Sequence, residues 1–261
     1  MVATPRLYKT EAIVLRQRKL GEADRIVTLY TPNYGKLEAK AKGVRKTSSR
    51  MAGHLQPLTH CAVQLARGHT MQVVAGCQTI DAFQGLRGDL ERLSRGLYAA
   101  ELVDRFAPEG VESFAIYQLL LDTLRRLVAG SAIEWALRYF EIRLLDCSGF
   151  RPELERCLGC EAALAATSSH FSPSAGGLLC SRCGGGNVGA RPLSAQALQA
   201  MRLLQRGSWS QVVRLQLPAL RSQEIERHLR AYIVYVLERE VNAAAFIQRL
   251  RREGIGEAVE V

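Results

Sequence analysis

The spacing of apolar residues changes character once along this chain, near residue 80. Before that point the apolar runs are short and the alternation has a period of two. Glu11–Leu15 contains an Ala-Ile-Val-Leu run rich in β-branched residues, and Arg25–Thr31 is a second such run. Between Lys36 and Lys42, the charged Lys36, Glu38, Lys40 and Lys42 alternate with Leu37, Ala39 and Ala41. Successive side chains of a strand point to opposite faces, so this segment has one charged face and one that packs inward. Gly21-Glu-Ala-Asp24 and Pro32-Asn-Tyr-Gly35 read as turns, and Arg67-Gly-His69 separates two further strands, Leu58–Leu65 and Met71–Ile80. Five strands in about eighty residues predict a small closed barrel, for which the OB-fold is the natural candidate.

From residue 87 the period becomes helical. Leu90, Leu93 and Leu97, then Phe114, Tyr117, Leu121, Leu124 and Val128, recur every three or four residues. Pro108-Glu-Gly110 and Gly130-Ser131 break this region into about three helices, the third carrying Ile133, Leu137, Phe140 and Leu144 and stopping before Gly149-Phe-Arg-Pro152. Helical spacing resumes at Ser194 with Leu198, Met201 and Leu204, and Pro218 interrupts it. It then continues from Ser222 to about Arg252, with Ile225, Leu229, Ile233 and Val236 on one stripe. The predicted class is α+β: an N-terminal five-stranded OB-fold barrel, then an all-helical domain into which a four-cysteine zinc module is inserted. The expected division is 1–80 for the barrel, 81–152 and 190–252 for the two parts of the helical domain, 153–189 for the module and 253–261 for a tail. No stretch is apolar for long enough to span a bilayer, and Met1–Ala12 lacks a signal-peptide core.

The inserted module carries the sharpest spacing in the chain: Cys157-Leu-Gly-Cys160, nineteen residues, then Cys180-Ser-Arg-Cys183. A two-residue gap lets both sulfurs of one knuckle meet a single ion, and the intervening loop returns the second pair to complete a tetrahedron. Four free thiols or two disulfides are the alternatives. One Zn2+ held by Cys157, Cys160, Cys180 and Cys183 would have no open coordination position, so it would shape structure without activating water. Cys61, Cys77 and Cys147 are left over without framework spacing, which favours a reducing compartment and hence the cytoplasm.

Charge sharpens the picture because it is unevenly placed. Residues 1–80 hold 13 Lys and Arg against 4 Asp and Glu; residues 81–261 hold 22 against 21, and all six lysines lie between Lys9 and Lys46. A basic N-terminal module on a neutral body points to a polyanion, most simply nucleic acid, the alternative being a solubilising surface. Enzymatic signatures are missing. There is no Gly-x-x-x-x-Gly-Lys-Ser/Thr loop, no His-Glu-x-x-His and no Gly-x-Ser-x-Gly. His54, His60 and His69 near Cys61 and Cys77 fit no ligand spacing and are expected at the surface or in packing roles. A non-enzymatic protein is expected.

Several stretches together resemble the RecO family of bacterial recombination mediators. They are Gly21-Glu-x-Asp-Arg25, Tyr34-Gly-Lys-Leu37, Ala41-Lys-Gly-Val-Arg45, Gly53-x-Leu-Gln-Pro57, Arg138-Tyr-Phe-Glu-x-Arg-Leu-Leu145, Gly149-Phe-x-Pro152 and Phe171-Ser-Pro-x-x-Gly-Gly-Leu-Leu-Cys180-x-x-Cys183. Each is weak alone; their succession over about residues 8–240 is specific. The resemblance implies an OB-fold, a helical domain and a zinc module. It also implies a protein that binds single- and double-stranded DNA, anneals complementary strands and engages the C-terminal tail of single-strand-binding protein. With RecR it would help load RecA, with RecF a further possible associate.

Tyr8, Tyr30 and Tyr34 are the only aromatic residues before Phe83, so phosphate contacts, more than base stacking, are expected to supply affinity. Arg25, Lys36, Lys40, Lys42, Arg45, Lys46 and Arg50 are the candidate DNA contacts. Arg125, Arg126, Arg138 and Arg143, on apolar helices, are candidates for the cationic rim of a pocket for the acidic tail. Two other classes stay open: a zinc-ribbon regulator of transcription or RNA whose knuckles read nucleic acid directly, and a nuclease using scattered carboxylates with magnesium.

Overall fold

The computed structural model of the chain describes residues 7–130, 132–164, 169–238 and 247. It divides into two compact units between Gly130 and Ser131. In the first, β1 (Leu7–Leu20), β2 (Asp24–Thr31), β3 (Gly35–Ala41), β4 (His60–Ala66) and β5 (Gln72–Asp81) close into a barrel of order β1-β2-β3-β5-β4. The β3–β5 pair is parallel and the others are antiparallel, and the five-stranded barrel has the predicted OB-fold class.

Strand β1 runs well past the apolar stretch that marks it in the sequence. Its first half pairs with β4 from Leu7 to Ile13 and its second half with β2 from Ile13 to Leu20, with a register shift between Val14 and Arg16. Such a bulge bends a strand and raises its twist. Here it lets one strand serve two neighbours, which closes the sheet on itself. The alternation expected on β3 is present: Leu37, Ala39 and Ala41 join Val14, Val27, Leu29 and Leu65 in the barrel core, while Lys36, Glu38 and Lys40 face outward, half-buried.

Three helices complete this unit: α1 (Gln84–Arg87), α2 (Leu90–Phe106) and α3 (Phe114–Ala129). Asp89 and Ser113 cap α2 and α3 by accepting the amides of Arg92 and Ile116, as short polar side chains do at helix starts. Helix α2 packs on α3 and on β1. The connection between α2 and α3 crosses the β2–β3 turn at Gly35, where φ is +60° and an added Cβ would sit 2.0 Å from the Val111 carbonyl oxygen. Only glycine fits there. Buried His60 ties helix to barrel, its Nε2 3.0 Å from Glu11 Oε2 and 2.9 Å from the Tyr117 hydroxyl. That is a packing role, and His54 has one too, its Nδ1 lying 2.7 Å from Thr79 Oγ1.

The boundary between the compact units does not coincide with the change of period near residue 80. Helices α1–α3 belong with the barrel, and of the stretch 81–152 only the part after Gly130 falls in the second unit. Periodicity reports the kind of element, not the core that the element covers.

In the second unit α4 (Ile133–Cys147), α6 (Ala195–Arg206) and α8 (Ala219–Leu237) pack on one another, with the short α7 (Trp209–Val212) beside α4 and α6. The stripe expected to reach Arg252 is helical through Leu237; residues 239–246 and 248–252 lie outside the described residues. Between α4 and α6 the chain forms a three-stranded sheet of order β7-β6-β8 from β6 (Ser169–Ser172), β7 (Gly177–Leu179) and β8 (Arg191–Leu193), with α5 (Ser181–Gly184) after β7. Phe171, fully buried on β6, packs edge-on against His228 and Tyr232 of α8 at 5.7 Å each, so the inserted module rests on a helix that follows it in sequence. No helix among the described residues is long and apolar enough to cross a membrane.

Candidate nucleic-acid interface and metal centre

Two of the sequence stretches singled out above turn out to be one structural unit. The β1–β2 turn at 21–23 and the loop after β3 dock on each other through Asp24, whose Oδ1 accepts the Gly43 amide at 2.8 Å and whose Oδ2 pairs with Lys40 Nζ at 3.0 Å. The Arg45 amide donates to the Ala23 carbonyl at 2.9 Å, and its guanidinium donates to the Gly21 carbonyl at 2.9 Å. Gly43 has φ +63°, which turns its N–H onto the carboxylate at no steric cost. This pairing explains why Gly21-Glu-x-Asp-Arg25 and Ala41-Lys-Gly-Val-Arg45 occur together.

The Gly43 amide first, then Lys40, hold the Asp24 carboxyl below its ordinary range. A depressed native value means that the loop is held at neutral pH and released as pH falls through it. The Gly43 amide proton is expected to titrate by NMR with a midpoint below the usual ~3.9 of an aspartate; an ordinary midpoint would show that Asp24 does not organise the loop.

The docked turns gather Arg25, Lys40, Lys42, Arg45 and Lys46 at one end of the barrel, where β2 begins and β3 ends. They also bring in Lys19, which sequence reasoning missed and which stands directly opposite Arg25 across the β1–β2 hairpin. Arg25 Nη1 donates to the neutral Gln17 Oε1 at 2.6 Å. Among the described residues no ion pair reaches Lys19, Lys42 or Lys46, which are exposed. Like charges set opposite each other in a hairpin are destabilising by a fraction of a kcal/mol, so the Lys19–Arg25 pair is unfavourable by itself and an anion beside it would relieve it. Arg50 is exposed further along the loop.

Lys36 stands apart. Its ammonium donates to the Asp104 backbone carbonyl and lies 3.4 Å from the Asp104 carboxylate, with both side chains only 18% exposed. Arg16 takes the other oxygen of Asp104 at 2.6 Å and, with Arg18, also holds Glu38. Lys36 therefore pins β3 to α2. A surface alternation in sequence shows which way a side chain points but not whether a carboxylate from a distant helix meets it.

The four arginines considered for an acidic tail are split between the units. Arg125, exposed on α3 and 3.6 Å from Asp122, and half-buried Arg126 belong to the first. Arg138 and Arg143 belong to the second, and they are occupied differently. Arg138 is 3% exposed and lies between Glu141 at 3.1 Å and Glu226 at 3.8 Å, so it supplies no cation to an open rim. Arg143 donates to the Gly207 carbonyl at 2.6 Å while lying over the Tyr139 ring at 5.0 Å.

The metal-ligand spacing is realised in space. Among the described residues, the group of His, Cys, Asp or Glu side chains fit to hold a metal is Cys157, Cys160, Cys180 and Cys183, whose sulfurs all lie within 4.8 Å of one another. Cys160 Sγ and Cys180 Sγ are 3.9 Å apart, against the ~3.8 Å edge of a tetrahedron with 2.3 Å metal–sulfur bonds. The knuckles also carry the amides that thiolates need. Cys157 Sγ accepts N–H from Cys180 at 3.2 Å and Gly159 at 3.4 Å, and Cys180 Sγ accepts from Cys183 at 3.4 Å. Burial works against the Cys157 anion, yet these amides prevail and bring its thiol down to about 6. The Cys183 amide likewise lowers Cys180. Arg182 hydrogen-bonds the Cys160 sulfur and offsets part of the anionic charge of a four-thiolate site.

Two family models together cover most of the chain. Residues 5–83 match the family described as Recombination protein O N terminal, and residues 87–244 the one described as Recombination protein O C terminal. A DNA repair protein RecO of Dehalococcoides mccartyi (strain BAV1) is 41% identical over 247 residues, 95% of this chain and 97% of the relative. Its counterpart from Roseiflexus sp. (strain RS-1) is 42% identical, over 95% and 87%. That of Pelotomaculum thermopropionicum is 37% identical over 96% and 97%.

Proposed function

We propose, because this chain belongs to the RecO family of DNA repair proteins, that it is a non-enzymatic mediator of recombinational repair in the bacterial cytoplasm. It would bind single- and double-stranded DNA without regard to sequence and anneal complementary strands. It would engage the C-terminal tail of single-strand-binding protein and, with RecR, help load RecA. The observation that carries the DNA-binding part is the cluster of Lys19, Arg25, Lys40, Lys42, Arg45 and Lys46 around the Asp24–Gly43 dock. Apart from Lys40, which Asp24 holds, these cations have no carboxylate partner among the described residues. Such cations release counterions when they meet phosphates, which gives affinity indifferent to base identity and to strand state. Annealing follows from the same physics, because screening the phosphates of two strands lowers their mutual repulsion.

In this reading the four cysteines hold one structural Zn2+, the ion that a closed thiolate tetrahedron favours. A zinc-ribbon regulator that reads nucleic acid through its knuckles is less well supported. Arg182 is the one cation between Cys157 and Cys183, and it is turned onto a ligand sulfur.

The purified protein is expected to speed pairing of complementary oligonucleotides, bare and coated with single-strand-binding protein. Failure on both substrates would remove the mediator reading. Incubation of labelled DNA with magnesium should leave it uncut; cleavage would favour a nuclease instead.

A further inference from the structure

The first unit also contains an open cavity of about 550 Å³, whose lining includes Tyr8, Tyr34 and Gln72 together with the exposed Arg67, Glu109 and Glu112. It lies at the far end of β2 from the cationic turns, about 20 Å away at the rise of an extended strand. Tyr8 and Tyr34 are distant in sequence, but barrel closure sets their ring centroids 4.7 Å apart at 51°. At that separation nothing fits between the rings. Tyr8, packed against the barrel core, backs Tyr34, and the 40% exposed Tyr34 presents its ring to solvent.

The turn that carries Tyr34 is held rigidly. Buried Thr31 accepts the Tyr34 amide at 3.0 Å and donates to the Gly35 carbonyl at 3.0 Å, while Val111 closes over Gly35. The Gln72 side-chain oxygen is buried with no hydrogen-bond partner, an acceptor awaiting a donor.

We propose that this cavity takes an unpaired nucleobase, stacked on Tyr34, with its amino or ring N–H group within reach of Gln72. The proposal deepens the DNA-binding reading above and rests on it. The charges favour an uncharged planar ring over a phosphate. Of the charged lining residues, Lys36 is committed to Asp104 and Glu38 to Arg16 and Arg18, the exposed Glu109 and Glu112 repel anions, and exposed Arg67 can meet the flanking backbone. Every base has a π-face, so stacking adds affinity without reading sequence. A base within a duplex is already stacked on both faces and cannot enter without being flipped out. The cavity thus distinguishes single strands, which the cationic cluster by itself does not.

The test uses the full chain with Tyr34→Ala and Tyr34→Phe, titrated with a fluorescent oligothymidylate and with a duplex of equal length at several salt concentrations. Tyr34→Ala is expected to weaken single-strand binding about 5- to 100-fold, the worth of one stacked base. Duplex affinity and both salt slopes should stay unchanged, and Tyr34→Phe should behave as the unmodified protein. In parallel, an oligonucleotide lacking its bases should bind the unmodified protein about 5- to 100-fold more weakly than the intact strand does, a comparison that needs no variant. Unaltered single-strand affinity, as a cavity serving a protein partner would give, overturns the proposal. So does an equal loss on single strand and duplex. An unmodified protein that binds neither DNA overturns the mediator reading along with it.

Discussion

A chain with Lys42, Arg45 and Lys46 all replaced by Ala is expected to lose about 10²- to 10³-fold in DNA affinity at 0.1 M salt and to converge on the unmodified protein near 1 M. The expectation follows from counterion release. With about six phosphates neutralised, log affinity should fall against log salt with a slope near −4 on single strands and −5 on duplex, and removing three cations should flatten it by about 2 to 3 units. These three residues are exposed, and none donates to a carboxylate among the described residues, so their loss leaves no orphaned acid behind. Lys36→Ala is the informative contrast. Its ammonium is committed to Asp104, so the slope should barely move while thermal stability falls. A triple variant with an undiminished slope would place the DNA face elsewhere, and a Lys36→Ala slope reduced by a full unit would show that the Asp104 contact opens when DNA binds.

Removing the metal, or replacing Cys180 by Ser, is expected to unfold the inserted module. Residues 157–186 supply few large buried side chains, chiefly Phe171, Leu178 and Leu179, against the cost of ordering about thirty residues. Metal binding contributes ~10–16 kcal/mol in zinc-dependent peptides, far more than so small a core. Strands β6 and β7 should therefore become protease-sensitive in the Cys180→Ser chain or after chelation, and metal analysis should find one zinc per unmodified chain. Phe171 would leave its place against His228 and Tyr232, so the second unit should melt at lower temperature too. The salt-dependent DNA binding proposed for the barrel should persist, because its cations lie in the other unit. Unaltered proteolysis after complete metal removal would end the idea of a structural clamp.

Local features of the chain were legible without coordinates. The Cys-x-x-Cys pairs converge because two residues between thiols suffice to set both on one ion, a matter of short-range chain geometry. The alternation from Lys36 to Ala41 fixes which face of β3 is buried, since the strand period is two wherever the strand lies. Pro and Gly marked the turns.

Tertiary structure alone decided which charges are available. Lys36 and Lys42 belong to the same alternating run, yet one is clasped by Asp104, from a helix more than sixty residues later, and the other is exposed. Arg138 likewise reads as a rim cation on an apolar helix but is buried between two glutamates. Lys19 joins the cluster through hairpin register, and Tyr8 meets Tyr34 only because the barrel closes. Periodicity records how each residue is oriented on its own element, whereas the partner it meets depends on register and closure between segments far apart in the chain, where no local pattern carries the information.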